Sequence, residues 1–134
     1  MVKLVKSIYT GSDVTSLGEL SSTDSIDQGI AGAITALTDA ATITPDLNAS
    51  NNFSVSLGGN RTLANPSNIT AGQSGSIFVT QDGTGSRTLA YGSYFKFVAG
   101  TAPTLSTAAA SVDRIDYVVA SATKIHAVAS LDVK

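Results

Sequence analysis

The chain has 134 residues, enough to bury one sizeable core and too few for two independent ones. Eight Lys+Arg against ten Asp+Glu leave a formal net charge of -2, so no basic surface is expected to track a phosphate backbone and nucleic acid is not an expected partner. Cysteine is absent and His126 is the single histidine, which excludes thiolate catalysis, disulfides and any zinc site built on several Cys or His ligands.

Charged residues are only 13% of the chain and apolar ones 43%, with Ser, Thr, Gly and Asn supplying the solvated positions. Disordered chains combine low hydrophobicity with high net charge, so this balance points to a folded, strand-rich protein. The N-terminus, Met-Val-Lys-Leu-Val-Lys-Ser-Ile-Tyr-Thr, has no apolar run of signal-peptide length, and no segment approaches a bilayer span. The expectation is synthesis in a cytoplasm and no membrane partner.

Residues 1–23 read as an extended N-terminal arm with a turn at Gly11-Ser12-Asp13. Val2, Lys3, Leu4, Lys6, Ile8 and Tyr9 are its candidate partner-binding residues. An alternating apolar segment with two lysines is suited to adding a strand to a neighbour's sheet edge. Residues 24–42 are expected to hold one short helix with its linker. Ile26, Ile30, Ile34, Leu37 and Ala41 recur at helical spacing, Thr23, Asp24 or Ser25 can cap it, and Asp27 suits the helix dipole. Gly29 and Gly32 weaken it by up to about 1 kcal/mol each.

Thr44-Pro45-Asp46 ends that period, and residues 43–134 read as an antiparallel β-domain. Phe53, Val55 and Leu57 alternate with serines, and Gly58-Gly59-Asn60 predicts a hairpin to Arg61-Thr62-Leu63-Ala64. Ser76-Ile77-Phe78-Val79-Thr80-Gln81 and Arg87-Thr88-Leu89-Ala90-Tyr91 flank Asp82-Gly83, a second hairpin signal. Tyr94-Phe95-Lys96-Phe97-Val98 follows, with both phenylalanines expected in the core. The last pair, Arg114 to Ala120 and Lys124 to Leu131, is joined by Ser121-Ala122-Thr123. Short strands with turns at this spacing predict a mainly β fold, an antiparallel sandwich or barrel of jelly-roll type.

Four stretches carry a family resemblance: Gly59-Asn60-Arg61-Thr62-Leu63-Ala64-Asn65-Pro66; Gln81-Asp82-Gly83-Thr84-Gly85-Ser86-Arg87-Thr88-Leu89-Ala90; Thr101-Ala102-Pro103-Thr104-Leu105-Ser106-Thr107; and Asp116-Tyr117. In their order and spacing they resemble a β-module of bacteriophage virion surface proteins, of the tail-fibre, head-fibre or capsid-decoration type. Ile8 to Leu20 is similar to a segment of such proteins as well. The resemblance implies a structural or attachment role, homo-oligomers that are often trimers, and a place on the virion surface. The short length favours a capsid decoration (cement) protein that binds the major capsid protein or another virion protein. The alternative is a short head or tail fibre that binds host cell-surface glycan.

No catalytic, cofactor or metal residue is expected. Asp82, Asp113 and Asp116 are the carboxylates a glycosidase would need; the turn accounts for Asp82, and solvent-facing positions beside Arg114 are expected for the other two. Alternation sets His126 with Lys124 and Val128, opposite Ile125 and Ala127. Tyr91, Tyr94 and Tyr117 are candidates for an oligomer or ligand surface, because a phenol offers an apolar ring and a polar tip.

Overall fold

A computed structural model of the chain describes residues 5–10, 13–19 and 32–134. The chain divides into two units, residues 1–31 and 32–134. In the first, strands β1 (Val5–Thr10) and β2 (Asp13–Glu19) pair antiparallel, with a register irregularity between Ile8 and Tyr9.

The second unit is mainly β, as its alternation predicts, and its sheets are open rather than closed into a barrel. Strands β3 (Ile34–Ala36), β5 (Asn52–Leu57), β7 (Ser74–Gln81), β10 (Val112–Ser121), β11 (Lys124–Ser130) and β9 (Phe95–Lys96) form one sheet in that order. Strands β4 (Thr42–Ile43), β6 (Arg61–Leu63) and β8 (Leu89–Tyr91) form a second. Side chains from both sheets meet in one apolar core: Phe53, Val55, Leu57, Ile77, Val79, Ile115 and Ile125 from the first, Ile43, Leu63 and Leu89 from the second.

The pairing is mixed rather than antiparallel throughout. The β7–β10 and β10–β11 pairs are antiparallel, whereas β3–β5, β5–β7, β4–β6, β6–β8 and β11–β9 are parallel. The reason lies in the connections. Both edges of β5 are occupied, by β3 and β7, so Arg61–Leu63 cannot return alongside it. Instead Gly58-Gly59-Asn60 carries the chain across the core to the other sheet, which lets Leu57 and Leu63 both point inward. Residues 82–88 do the same between β7 and β8. The two expected hairpins are therefore arches, and β3–β4, β5–β6 and β7–β8 stack as three successive strand–arch–strand layers. Within residues 32–134 the reversal through residues 121–123, by contrast, closes as a hairpin within a sheet.

Polar side chains stitch the arches together. Asp39 accepts from the Gly58 amide (3.2 Å) and from Nε and Nη2 of Arg61 (both 2.7 Å), joining the first arch to the second. Asn60 Oδ1 accepts from the Thr88 amide (3.1 Å), and the Arg61 amide donates to the Thr88 carbonyl, joining the second to the third. Within the third arch, Asp82 Oδ1 accepts from the Thr84 and Gly85 amides and its Oδ2 from Arg87. Buried Gln81 brackets the Arg87 backbone, accepting from its amide and donating to its carbonyl.

These contacts, led by the Arg87 guanidinium, hold the Asp82 carboxyl down at about 2, below its ordinary 3.8. A folded-state value below the unfolded one stabilises the fold above about pH 4, and the contribution is lost as the pH falls toward about 2. Thermal unfolding followed between pH 5 and pH 2 should thus show a shallower acid decline for Asp82→Asn than for the parent chain. Parallel curves would assign the acid sensitivity to other groups.

The expected helix is not formed where the structure describes its residues. Ile34–Ala36 is strand β3, paired parallel with β5, and Ile34 is exposed while Leu37 packs on the core. Residues 24–31 lie outside the described residues. Pairing with β5 holds Ile34–Ala36 in an extended conformation that suits β-branched side chains, and Gly32 offers a helix little. Among the described residues the one helical element is a 3-10 turn at Val98–Gly100.

Candidate functional site

Strand alternation places Val118 on β10 and His126 and Val128 on β11 on the outer face of the large sheet, since Tyr117, Val119, Ile125 and Ala127 fill the inner one. Val118 lies opposite His126, which lies opposite Lys96 of β9. With Phe97, Val98 and Asp116 they line a cleft of about 530 Å³. Val98, Val118 and Val128 are each more than half exposed there. Asp116 accepts from Ser76 Oγ (2.6 Å) and pairs with Arg114 (3.0 Å), and Lys96 Nζ donates to the Ser93 carbonyl (2.7 Å). Its acid and its lysine are thus engaged within the fold, and the remaining surface is apolar with one imidazole.

A second hollow, about 560 Å³, runs beside β8. Its aromatic floor is Tyr91, Phe95 and Phe97: the Tyr91 ring meets that of Phe97 edge-on at 4.7 Å and that of Phe95 at 5.9 Å. Phe95 is buried and Phe97 partly so, packed against the core. The Tyr91 hydroxyl is buried with no hydrogen-bond partner among the described residues, and burial pushes its pKa up.

The other tyrosine candidates lie apart. Tyr94 is half-buried against the core, and its amide donates to Asn65 Oδ1 (2.9 Å). Tyr117 is a core residue rather than a surface one. It is 4% exposed, its hydroxyl donates to the Asn51 carbonyl (2.7 Å), and burial raises its pKa to about 12. The inner face of β10 demands large side chains, and a tyrosine fits there because its tip finds an acceptor.

The three carboxylates are not brought together as an acid pair. Asp82 is held in its arch and Asp116 faces outward, whereas Asp113 points inward, 1% exposed, contrary to the solvent-facing position expected for it. Its Oδ2 accepts from the Ser106 amide and its Oδ1 from the Asp132 amide, both at 2.8 Å. The side chain clasps the loop before β10 to the C-terminal tail, which explains a charge on the core face of a strand. Among the described residues no three His, Asp or Glu side chains cluster as a metal site would require.

Of the arm candidates, Lys6, Ile8 and Tyr9 lie on β1, opposite Gly18, Ser16 and Val14, while Val2, Lys3 and Leu4 lie outside the described residues. Sequence reasoning passed over Val118 and Val128. Their signal is present in Tyr117-Val118-Val119 and Ala127-Val128-Ala129, where apolar residues break the alternation that β5 keeps.

No curated protein and no solved structure matches the chain. A family model does, over residues 43–128, which is more than half of the chain and runs from the end of β4 to β11; its description is "Putative phage tail fibre C-terminal domain". The chain therefore belongs to the phage tail-fibre C-terminal domain family, and is a structural protein of a bacteriophage particle.

Proposed function

We propose that the chain works as a non-enzymatic module of a tail fibre, self-associating as a homotrimer and attached to another virion protein at the particle surface. The carrying observation is the family match across the β-domain, which favours the tail over the capsid-decoration role that the chain's length suggested. A partner other than the major capsid protein follows from the tail assignment.

Immunogold labelling of intact particles tests the location. Label at the tail fibres is the expected result, and label spread over the head would restore the decoration reading. Sedimentation equilibrium of the purified chain tests the trimer, with a monomer at micromolar concentration as the result against it.

Host-glycan binding is a second reading, and the outer-face cleft favours it. Phe97 and the exposed valines offer an apolar floor, with the His126 imidazole at its side to hydrogen-bond a hydroxyl. Saturable retention on host envelope polysaccharide, lost in Val118→Lys, is the expected outcome. Retention that survives this substitution would move the glycan site elsewhere.

A further inference from the structure

The small sheet ends at β8 while the large sheet continues through β10, β11 and β9. In a parallel ladder successive residues direct their backbone groups to opposite sides. The Arg61 amide donates to the Thr88 carbonyl and the Gly92 amide to the Leu63 carbonyl, with Arg61 opposite Leu89 and Leu63 opposite Tyr91. The N–H and C=O groups of Leu89 and Tyr91 consequently point away from β6, toward an edge on which no described strand pairs. Against this edge lies the 560 Å³ groove, bounded by Tyr91, Gly92, Phe95, Phe97, Gly100 and Ala102.

Two features coincide there: two donors and two acceptors at strand spacing, and an aromatic floor of Tyr91, Phe95 and Phe97. From these we infer that the groove receives an extended segment of another polypeptide as the fourth strand of the small sheet. Opposite Leu89–Tyr91 the added strand needs about 10 Å of edge, at roughly 3.3 Å per residue. Its inward side chains, apolar and alternating, lie on Phe95 and Phe97. Backbone groups supply affinity in such an addition and alternate side chains supply selectivity. A saccharide would use the rings but would leave the evenly spaced amides and carbonyls without a reason. The inference depends on the tail-fibre reading only for the source of the strand, a second virion protein; the groove itself stands on its geometry.

A random dodecapeptide library panned against the full chain, in parallel with Ala102→Trp to fill the groove from its exposed rim, tests it. The expected result is enrichment of sequences with alternating apolar residues on the unaltered chain alone. The leading synthetic peptide should slow amide exchange of Leu89 and Tyr91 at least tenfold. It should bind at least tenfold more weakly when the peptide amides facing β8 are N-methylated, a comparison that needs no protein variant to fold. Failure to enrich peptides over the filled variant, or tolerance of N-methylation, would overturn the inference. So would protection of the same amides by a host oligosaccharide mixture and not by peptide. None of these outcomes bears on where the protein sits in the particle, so the inference and the tail-fibre reading fail separately.

Discussion

Replacing Gly75 by alanine is expected to destabilise the β-domain by about 3 kcal/mol or more, among the larger effects a single methyl produces. Gly75 stands opposite Tyr117 in the β7–β10 ladder, and the Asn51 carbonyl crosses directly over it. A Cβ at that position would lie deep within the van der Waals radius of the Asn51 oxygen, with backbone, and no flexible side chain, as the obstacle. Relieving the clash means moving the start of β5 away from β7, which also takes the Asn51 carbonyl from the Tyr117 hydroxyl. At roughly 4–8 °C per kcal/mol for a domain of this size, the melting temperature should fall by at least about 12 °C. Gly83, which has nothing within 4 Å of its Cβ position, supplies the control: Gly83→Ala should stay within about 0.5 kcal/mol of the parent. Equal melting of the two variants would remove the close approach from the explanation.

The second large effect is expected at Asp113. Asp113→Ala strips the acceptors from the Ser106 and Asp132 amides at once and leaves a void on the inner face of β10. A donor left unsatisfied away from water costs about 1–3 kcal/mol, so a loss of about 2–4 kcal/mol is expected, with faster amide exchange at Ser106 and Asp132. Asp116→Ala, three residues along on the opposite face, should cost less than about 1 kcal/mol. It gives up only a partly exposed pair with Arg114 and the bond from Ser76. Equal costs at the two positions would contradict the inward placement of Asp113.

That contrast shows where sequence reading stops. Asp113 and Asp116 flank Arg114 and Ile115 in the same short text, and composition alone makes both look solvated. Strand parity already set them on opposite faces, because Ile115 faces inward and Asp113 is two residues from it. What hid the result was the partner: the amides that satisfy Asp113 come from residues 106 and 132, one in a loop and one in the tail, and no local pattern announces them. Tyr117 was misplaced for a similar reason, its acceptor lying 66 residues away at Asn51. Conversely, the inward set Phe53, Val55 and Leu57 and the outward place of His126 follow from alternation alone and stand in the structure as read.

By itself the sequence determined the strands from β5 onward, which of their faces are apolar, where the chain reverses between them, and the stretches by which its family is recognised. The alternation in β5 and the hairpin between β10 and β11 needed nothing else, because side-chain period and turn chemistry are local. The tertiary structure decided the plane of each reversal. Gly58-Gly59-Asn60 and Asp82-Gly83 permit either a hairpin within a sheet or an arch between sheets, and the choice fell to the strands already occupying both edges of β5 and β7. Edge occupancy is a property of residues far apart in the chain. It made β3–β5–β7 and β4–β6–β8 parallel and drew Ile34 into a strand where its spacing suggested a helix. By the same competition β8 is left with the open edge on which the proposed strand would pair.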